Sequence, residues 1–184
     1  MYPIDSGTRS RIQPLLQRVL IVDPKLHTAT VLGGCLKAFG CLDLSIESDH
    51  AAALAAARTL EPTLIVAEAQ DDDDPFAMVR SIRRSSMACR TTPVFVLTTL
   101  ATASAIKQAK DAGAHEFMRK PFAYRDLMRR LDHLAQHPRA WVEKPAYAGP
   151  DRRQFNSGAA RRRLADRLEL VNQGVSASSL YLVR

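Results

Sequence analysis

The sequence has few cysteines and no long apolar run, and each absence argues against a class of protein. The three cysteines, Cys35, Cys41 and Cys89, are odd in number and lack the spacing of metal ligands. They fit a reducing compartment, and we assign them no function. No stretch approaches the length needed to span a bilayer, and the first ten residues lack the apolar core of a signal peptide. We therefore expect a cytoplasmic protein that makes no membrane contact.

Basic residues are unevenly distributed along the chain. The net charge is +7, and residues 139–184 hold nine Lys and Arg against four acids. The rest of the chain is close to electrical balance. This asymmetry indicates an anionic partner for the C-terminal region. The length of 184 residues and the hydrophobic content of 46% allow one ordinary domain and an appendage.

Five short segments, with an unbroken apolar run at residues 64–67, predict the strands of a parallel sheet. The central run, residues 64–67, ends at the carboxylate of Glu68 and suits a strand that is buried on both faces. The other runs are residues 18–23, 42–46, 93–98 and 115–119. Helical patterns separate the runs, and two carry clear end signals, Asp49 as a cap and Gly113 as a stop. This alternation predicts a doubly wound, five-stranded α/β domain with the flavodoxin-like strand order.

Polar side chains follow four of these runs at their carboxyl ends. They are Asp23, Glu68, Thr98 and Lys120. Ligand sites of open α/β sheets lie beyond the carboxyl ends of the strands, so we expect the four to share one crevice. Residues 71–74 are all aspartates, but consecutive loop residues point in different directions. We therefore interpret them as a solvated acidic turn rather than a metal cluster.

These motifs stand at the spacing of a bacterial receiver domain, and the sequence resembles the CheY-like response regulators. The motifs are L-I-V-D, P-T-L-I-V-A-E, V-F-V-L-T and G-A-H-E-F-M-R-K-P-F. The resemblance implies a phosphorylation pocket in which Asp23 helps to hold Mg²⁺ and Glu68 stands at the acceptor position. Thr98 and Lys120 would contact the phosphoryl oxygens. Phe117 would be the aromatic residue that reports the state of the pocket to the output face.

Two positions depart from the receiver pattern. Pro24 replaces a second acid and has no side-chain oxygen, and Glu68 is one methylene longer than the usual Asp. Mg²⁺ demands near-octahedral oxygen ligands, and phosphoryl transfer depends on the metal. We therefore expect a degenerate pocket that holds no metal. Glu68 could reach Lys120 and fix the domain in a switched state, or it could be a satisfied carboxylate without a switching role. For Phe117, core packing is favoured because Phe lacks a hydroxyl group.

We divide the chain into three parts. Residues 1–17 are expected to form a loose, flexible arm, residues 18–137 the receiver, and residues 138–184 an extended, partly helical tail. A helical face in the tail is formed by Leu164, Leu168 and Val171. A helix this short is marginal alone in water, so it should order on a surface or a ligand.

The tail arginines suggest a guanine nucleotide as ligand. The planar fork of Arg binds phosphate or the guanine edge, and Asp can accept hydrogen bonds from the guanine donors. The candidate nucleotide-binding residues are Asp151, Arg152, Arg153, Arg161, Arg162, Arg163, Asp166 and Arg167. A purely structural alternative is an intrahelical ion pair such as Arg162–Asp166.

A degenerate receiver followed by G-P-D-R-R and a second arginine cluster is similar to the CheY-like cyclic di-GMP effectors, the Cle group. This resemblance implies cyclic di-GMP as the ligand and the flagellar motor switch as a docking partner. We expect a non-enzymatic signalling adaptor that docks through its last strand, its last helix and the preceding helix. Two alternatives stay open. One is a phosphorylatable response regulator served by a sensor kinase. The other is a nucleic-acid-binding regulator, which would favour more lysines and aromatics than this tail has.

Overall fold

The five predicted strand segments form a five-stranded parallel sheet with the strand order β2-β1-β3-β4-β5. The computed structural model describes residues 5–69 and 74–155. The strands are β1 (Arg18–Val22), β2 (Asp43–Glu47), β3 (Leu64–Glu68), β4 (Val94–Thr98) and β5 (Glu116–Arg119). This is the flavodoxin-like order, so the predicted fold class is confirmed.

Helices connect the strands and cover both faces of the sheet. They are α1 (Ser6–Ile12), α2 (Leu26–Ala38), α3 (His50–Leu60), α4 (Ala77–Arg84), α5 (Ala103–Ala112) and α6 (Tyr124–Gln136). The predicted end signals are present. Asp49 caps α3 by accepting the N–H of Ala52 at 2.9 Å, and Gly113 ends α5 with a φ of 94°. None of the helices in the described ranges combines the length and apolarity that a membrane crossing demands.

The position of β3 in the middle of the sheet explains why its sequence is apolar without interruption. Its side chains alternate between two cores on opposite faces of the sheet. Leu64 and Val66 pack in a core with α2 and α6, whereas Ile65 and Ala67 pack in a core with α3, α4 and α5. Both faces are therefore covered, and the strand carries its last residue, Glu68, to the carboxyl edge.

Residues 5–17 fold onto the domain, so the prediction of a loose arm was wrong for this part of residues 1–17. Helix α1 continues into a 3₁₀ turn over Gln13–Leu16. Ile12 and Leu16 are fully buried in the core beside α2 and α6. Two buried apolar side chains dock this short segment, while its polar residues face outward. A sparse apolar pattern of this kind looks like a loop when it is judged without its tertiary partners.

Residues 141–154 also fold, which corrects the prediction of an extended stretch at the start of the tail. They form an antiparallel hairpin of β6 (Trp141–Lys144) and β7 (Tyr147–Pro150), followed by a 3₁₀ turn over Arg152–Gln154. The hairpin packs on α4 and α5. A Cβ added at Gly149 would lie 3.0 Å from the Cα of Gly113, so the two backbones meet closely there. The helical face expected at residues 164–171 lies outside the described residues.

Candidate functional site

Three charged side chains meet beyond the carboxyl ends of β1, β3 and β5. The Lys120 ammonium donates to Asp23 Oδ2 at 3.0 Å and forms a second ion pair with Glu68 Oε2. The side chains are 4% exposed for Asp23, 13% for Glu68 and 17% for Lys120, so solvent screens these pairs only partly. The contact between Glu68 and Lys120, which the longer side chain of Glu allows, is therefore present.

The second oxygen of Asp23 is also engaged. Asp23 Oδ1 accepts the backbone N–H of Lys25 at 2.8 Å. The Asp23 N–H donates to the Glu47 carbonyl at 3.0 Å, which fixes the residue at the end of β1. Both oxygens of this carboxylate thus have a donor within the protein.

Lys120 stabilises the ionised form of the Glu68 carboxylate. Burial raises the pKa of Glu68 above its ordinary value, and the hydrogen bond and the positive charge of Lys120 offset only part of this effect. The nearby charge of Asp23 adds to the rise in pKa. Two acids therefore compete for one ammonium group, and the cluster carries one negative charge in excess when both are ionised.

Thr98 lies at the same edge of the sheet, but its hydroxyl group is turned into its own loop. Thr98 Oγ1 accepts the N–H of Leu100 at 3.0 Å and also lies 3.4 Å from the Leu100 carbonyl oxygen. The backbone joins it to the cluster, since the Lys120 N–H donates to the Thr98 carbonyl at 2.7 Å. The crevice predicted from the sequence therefore brings three side chains into contact and holds the fourth beside them.

The donor set at this edge does not fit the Mg²⁺ ion that the receiver resemblance implies. Pro24 offers no side-chain oxygen, both oxygens of Asp23 are taken by donors, and Glu68 is paired with an ammonium group. Mg²⁺ requires free oxygen ligands in near-octahedral geometry. In residues 5–69 and 74–155, His, Cys, Asp and Glu nowhere form a group of three that could hold a metal ion. Residues 71–73, most of the acidic turn, lie outside those ranges.

Phe117 is a core residue. It is 3% exposed and packs among the apolar side chains on the α3, α4 and α5 face of the sheet. This agrees with the packing interpretation. The position also places Phe117 next to Glu116, which belongs to a second charged cluster.

That second cluster lies at the amino end of β5 and centres on a carboxylate, Glu116, that is fully buried. Arg139 binds Glu116 Oε1 at 2.5 Å, and Arg130 binds Oε2 at 3.0 Å. Burial raises the pKa of Glu116, and the two arginines oppose that rise. Arg139 itself is 1% exposed on its side chain, so this is an ion pair removed from water.

Arg83, at the end of α4, lies beside this cluster and is 1% exposed. Its guanidinium group donates to the carbonyls of Gly113, Arg90 and Thr92 at 2.7–2.9 Å and lies 3.2 Å from His115 Nδ1. Burial lowers the pKa of Arg83 to about 10. Burial, followed by the charges of two neighbouring arginines, holds the pKa of His115 well below its usual range. The imidazole is thus held in its neutral form.

The C-terminal hairpin closes this end of the sheet. The Trp141 ring lies 5.7 Å from the Arg83 guanidinium and 5.4 Å from that of Arg90. Arg90 also pairs with Glu143 at 2.8 Å. This cluster was not predicted from the sequence, because its members come from α4, β5, α6 and the hairpin and share no local motif. The only available signal was an arginine on the otherwise apolar face of α4.

The described tail candidates come together after β7. Asp151 accepts the N–H of Arg153 at 2.9 Å and also binds its guanidinium group at 2.6 Å. These bonds lower the pKa of Asp151 to about 2. Arg152 donates to Asp111 of α5 at 2.7 Å and lies over the Tyr147 ring at 4.6 Å. The other five candidates, residues 161–163, 166 and 167, lie outside the described residues.

Comparisons with known proteins agree with the fold. The sequence profile of the response regulator receiver domain matches residues 19–132. The chemotaxis protein CheY4 of Vibrio cholerae is 24% identical, with a TM-score of 0.58 over 64% of this chain and 97% of that chain. The receiver domain of HemR from Leptospira biflexa is 22% identical, with a TM-score of 0.58 over 67% of this chain and 98% of that chain. Among curated proteins, no significant match was found.

Proposed function

The chain belongs to the response regulator receiver domain family, and from that membership we propose that it is a signalling adaptor with a fixed receiver and a nucleotide-binding tail. The family acts in two-component signalling, generally without catalysis of its own and through protein partners such as kinases. In this proposal the receiver does not take up phosphate. The arginine-rich tail binds cyclic di-GMP and controls docking on a partner such as the flagellar motor switch.

The observation that carries the fixed receiver is the double ion pair of Lys120. The lysine that would contact a phosphoryl group is already bound by Glu68 and Asp23. Pro24 cannot supply the missing oxygen ligand. Since in-line phosphoryl transfer relies on positioning and on the metal ion, a pocket with an internal salt bridge and an incomplete donor set is a poor acceptor.

The test is a titration with beryllofluoride and Mg²⁺ in which the NMR chemical shifts of Thr98 and Lys120 are monitored. The wild-type shifts should stay unchanged. The matched variant is Pro24→Asp combined with Glu68→Asp, which restores both acids, and it should show saturable shifts at the same residues. Saturable shifts in the wild-type protein would support instead a phosphorylatable regulator in a kinase relay.

For the docking face, we propose α5, β5 and α6. Glu68→Ala and Glu68→Gln free Lys120 from one of its two partners, and the change reaches β5 because Lys120 follows this strand directly. Both variants should bind a purified flagellar motor switch protein more weakly than the wild type. Equal binding by all three proteins would leave Glu68 as an inert carboxylate.

For the ligand, support comes from the arginine content of the tail and from the turn at Asp151, Arg152 and Arg153. Charge-assisted hydrogen bonds contribute about 1.5–3 kcal/mol each, which can exceed an ordering cost of about 2–5 kcal/mol. Calorimetric titration of the full chain with cyclic di-GMP should therefore give a dissociation constant of about micromolar order or tighter.

The controls for the ligand are GTP and a short RNA, each measured at low and high salt. Arg163→Ala and Asp166→Ala should weaken cyclic di-GMP binding much more than Lys37→Ala, since Lys37 is an exposed lysine of α2. If the tail binds all polyanions equally, with an affinity that falls steeply with salt, the nucleic-acid alternative replaces the proposal.

A further inference from the structure

We propose that a groove on the C-terminal hairpin is a subsite for one phosphate diester of a nucleotide, and that Asp111 competes with this phosphate for Arg152. The inference rests on the proposed function, because it locates part of the nucleotide site on the folded domain. The groove has a volume of about 400 Å³ and is lined by Val142, Lys144, Tyr147, Asp151, Arg152 and Arg153.

The alternation of side chains along β6 determines which charges line the groove. Val142 and Lys144 face the groove, whereas Trp141 and Glu143 point to the opposite side of the strand. On that side Glu143 pairs with Arg90 at 2.8 Å. The acid of the hairpin is thus directed away from the groove, and the lysine is directed into it.

Three cations line the groove against a single carboxylate, Asp151. That carboxylate is already bound by the Arg153 guanidinium at 2.6 Å, and its side chain is only 14% exposed. The Arg153 side chain is 89% exposed, so the rest of its donors face solvent. Among residues 5–69 and 74–155, none of the ion pairs involves Lys144. The groove therefore presents a net positive charge with free donors.

The composition and the size of the groove specify the class of ligand. Arginine forks match the oxygens of phosphate, and a lysine adds a point charge beside them. The Tyr147 ring and Val142 supply an apolar wall. A volume of about 400 Å³ is near the lower end of small-molecule sites, which suits one nucleotide unit. A phosphate diester flanked by a base is therefore the fitting ligand.

Asp111 holds Arg152 in place when no phosphate is bound. The two side chains meet at 2.7 Å, with 48% of Arg152 and 37% of Asp111 exposed. Asp111 has a second cation, Lys107, at 2.8 Å. If Arg152 turns to a phosphate, Asp111 keeps Lys107, so the exchange leaves no carboxylate without a counter-charge. Exposed ion pairs contribute little stability, so a phosphate that accepts two hydrogen bonds from the Arg152 guanidinium group can displace Asp111 from it.

The experiment uses the full chain and two probes, cyclic di-GMP and inorganic pyrophosphate, measured by calorimetry and by amide NMR. Lys144→Met should weaken the binding of both probes about five-fold, and Asp111→Asn should tighten both about three-fold. Lys37→Met is the matched control for the lost lysine. Asp132→Asn is the control for the lost acid, because Asp132 forms a comparable ion pair with Arg11 at 2.6 Å. Neither control should change binding.

The outcomes separate the subsite from the proposed function. In one outcome, the wild type, Lys144→Met and Asp111→Asn bind cyclic di-GMP equally, and the amide NMR signals of residues 142–153 do not shift. This outcome overturns the subsite and keeps the proposed function. Pyrophosphate binding that depends on Lys144 and Asp111, without cyclic di-GMP binding, keeps the subsite and overturns the function. Equal losses in Lys37→Met and Lys144→Met show general charge attraction and overturn the subsite.

Discussion

The two ends of the parallel sheet hold their charges in opposite ways. At the carboxyl end, one partly exposed ammonium group, Lys120, is shared by two carboxylates, Asp23 and Glu68. At the amino end, one fully buried carboxylate, Glu116, is shared by two arginines. The first cluster lies next to solvent, where a ligand or partner can act on it. The second is closed over by the hairpin and contributes to the fold itself.

The difference is clearest along β5, which joins the two clusters. Glu116 begins this strand, and Lys120 follows its last residue. Removing one partner from a fully buried pair leaves a charge without compensation, whereas removing one from a shared, partly exposed group leaves the other partner in place. The same kind of substitution should therefore have very different effects at the two ends.

The largest effect is expected for Glu116→Gln. This change leaves Arg139, which is 1% exposed, without its carboxylate, and a broken buried pair costs about 3–5 kcal/mol. Urea unfolding followed by circular dichroism measures the loss. Asp132→Asn, which breaks the surface pair with Arg11, should cost less than about 1 kcal/mol. Equal losses in the two variants would contradict the distinction between the two kinds of pair.

The next effect is a loss of stability in mild acid that depends on His115. Its folded-state pKa is far below 6.5 because of burial, so below that pH the unfolded chain binds a proton that the folded chain does not. Stability should therefore fall as the pH drops, by up to about 1.4 kcal/mol per pH unit. The raised pKa of Glu116 acts in the opposite direction, because the folded state then binds its proton first.

Urea unfolding midpoints between about pH 5.5 and pH 7.5 measure this dependence. His115→Gln should flatten the profile, since it removes the group that titrates only in the unfolded chain. His27→Gln changes an exposed histidine and should leave the profile as it is in the wild type. A wild-type profile that does not change over this range would rule out a neutral, buried imidazole.

The smallest effect on stability is expected for Glu68→Gln, less than about 1 kcal/mol. Burial raises the pKa of Glu68, which means that its ionised form is costly, and a neutral amide of the same shape avoids that cost. Lys120 keeps its 3.0 Å bond to Asp23. Unfolding under the conditions used for Glu116→Gln gives a direct comparison, and losses of similar size would show that both ends of the sheet serve stability.

The sheet and its carboxyl edge could be predicted from the sequence because their signals are local. Residues 64–67 carry the signature of a strand buried on both faces, and Asp49 and Gly113 mark helix ends by their own chemistry. Strand ends then bring Asp23, Glu68 and Lys120 together, because parallel strands share one carboxyl edge. The orientation of Thr98 was not predictable, since it depends on the course of the loop that contains Leu100.

The rest could not be predicted because it depends on contacts between distant parts of the chain. Ile12 and Leu16 are two apolar residues in a polar segment, and only the core beside α6 explains why they are helical and buried. The hairpin has a weak signal of its own, a Pro145-Ala146 turn between short strands. Arg83 and Glu116 look like ordinary surface charges in the sequence. Their burial depends on distant residues, which are Trp141 of the hairpin beside Arg83 and the two arginines that bind Glu116.

The close contact between Gly113 and Gly149 has an evolutionary consequence. A Cβ at Gly113 would lie 3.0 Å from the Ala148 carbonyl, and a Cβ at Gly149 would lie 2.6 Å from the Tyr147 hydroxyl and 3.0 Å from the Cα of Gly113. Lineages that carry the hairpin must therefore keep both positions free of side chains, whereas in lineages without it only the left-handed φ of 94° still favours glycine at position 113. Gly149 and Arg139 should then be gained and lost together among descendants, which would show whether the hairpin was acquired once as a unit.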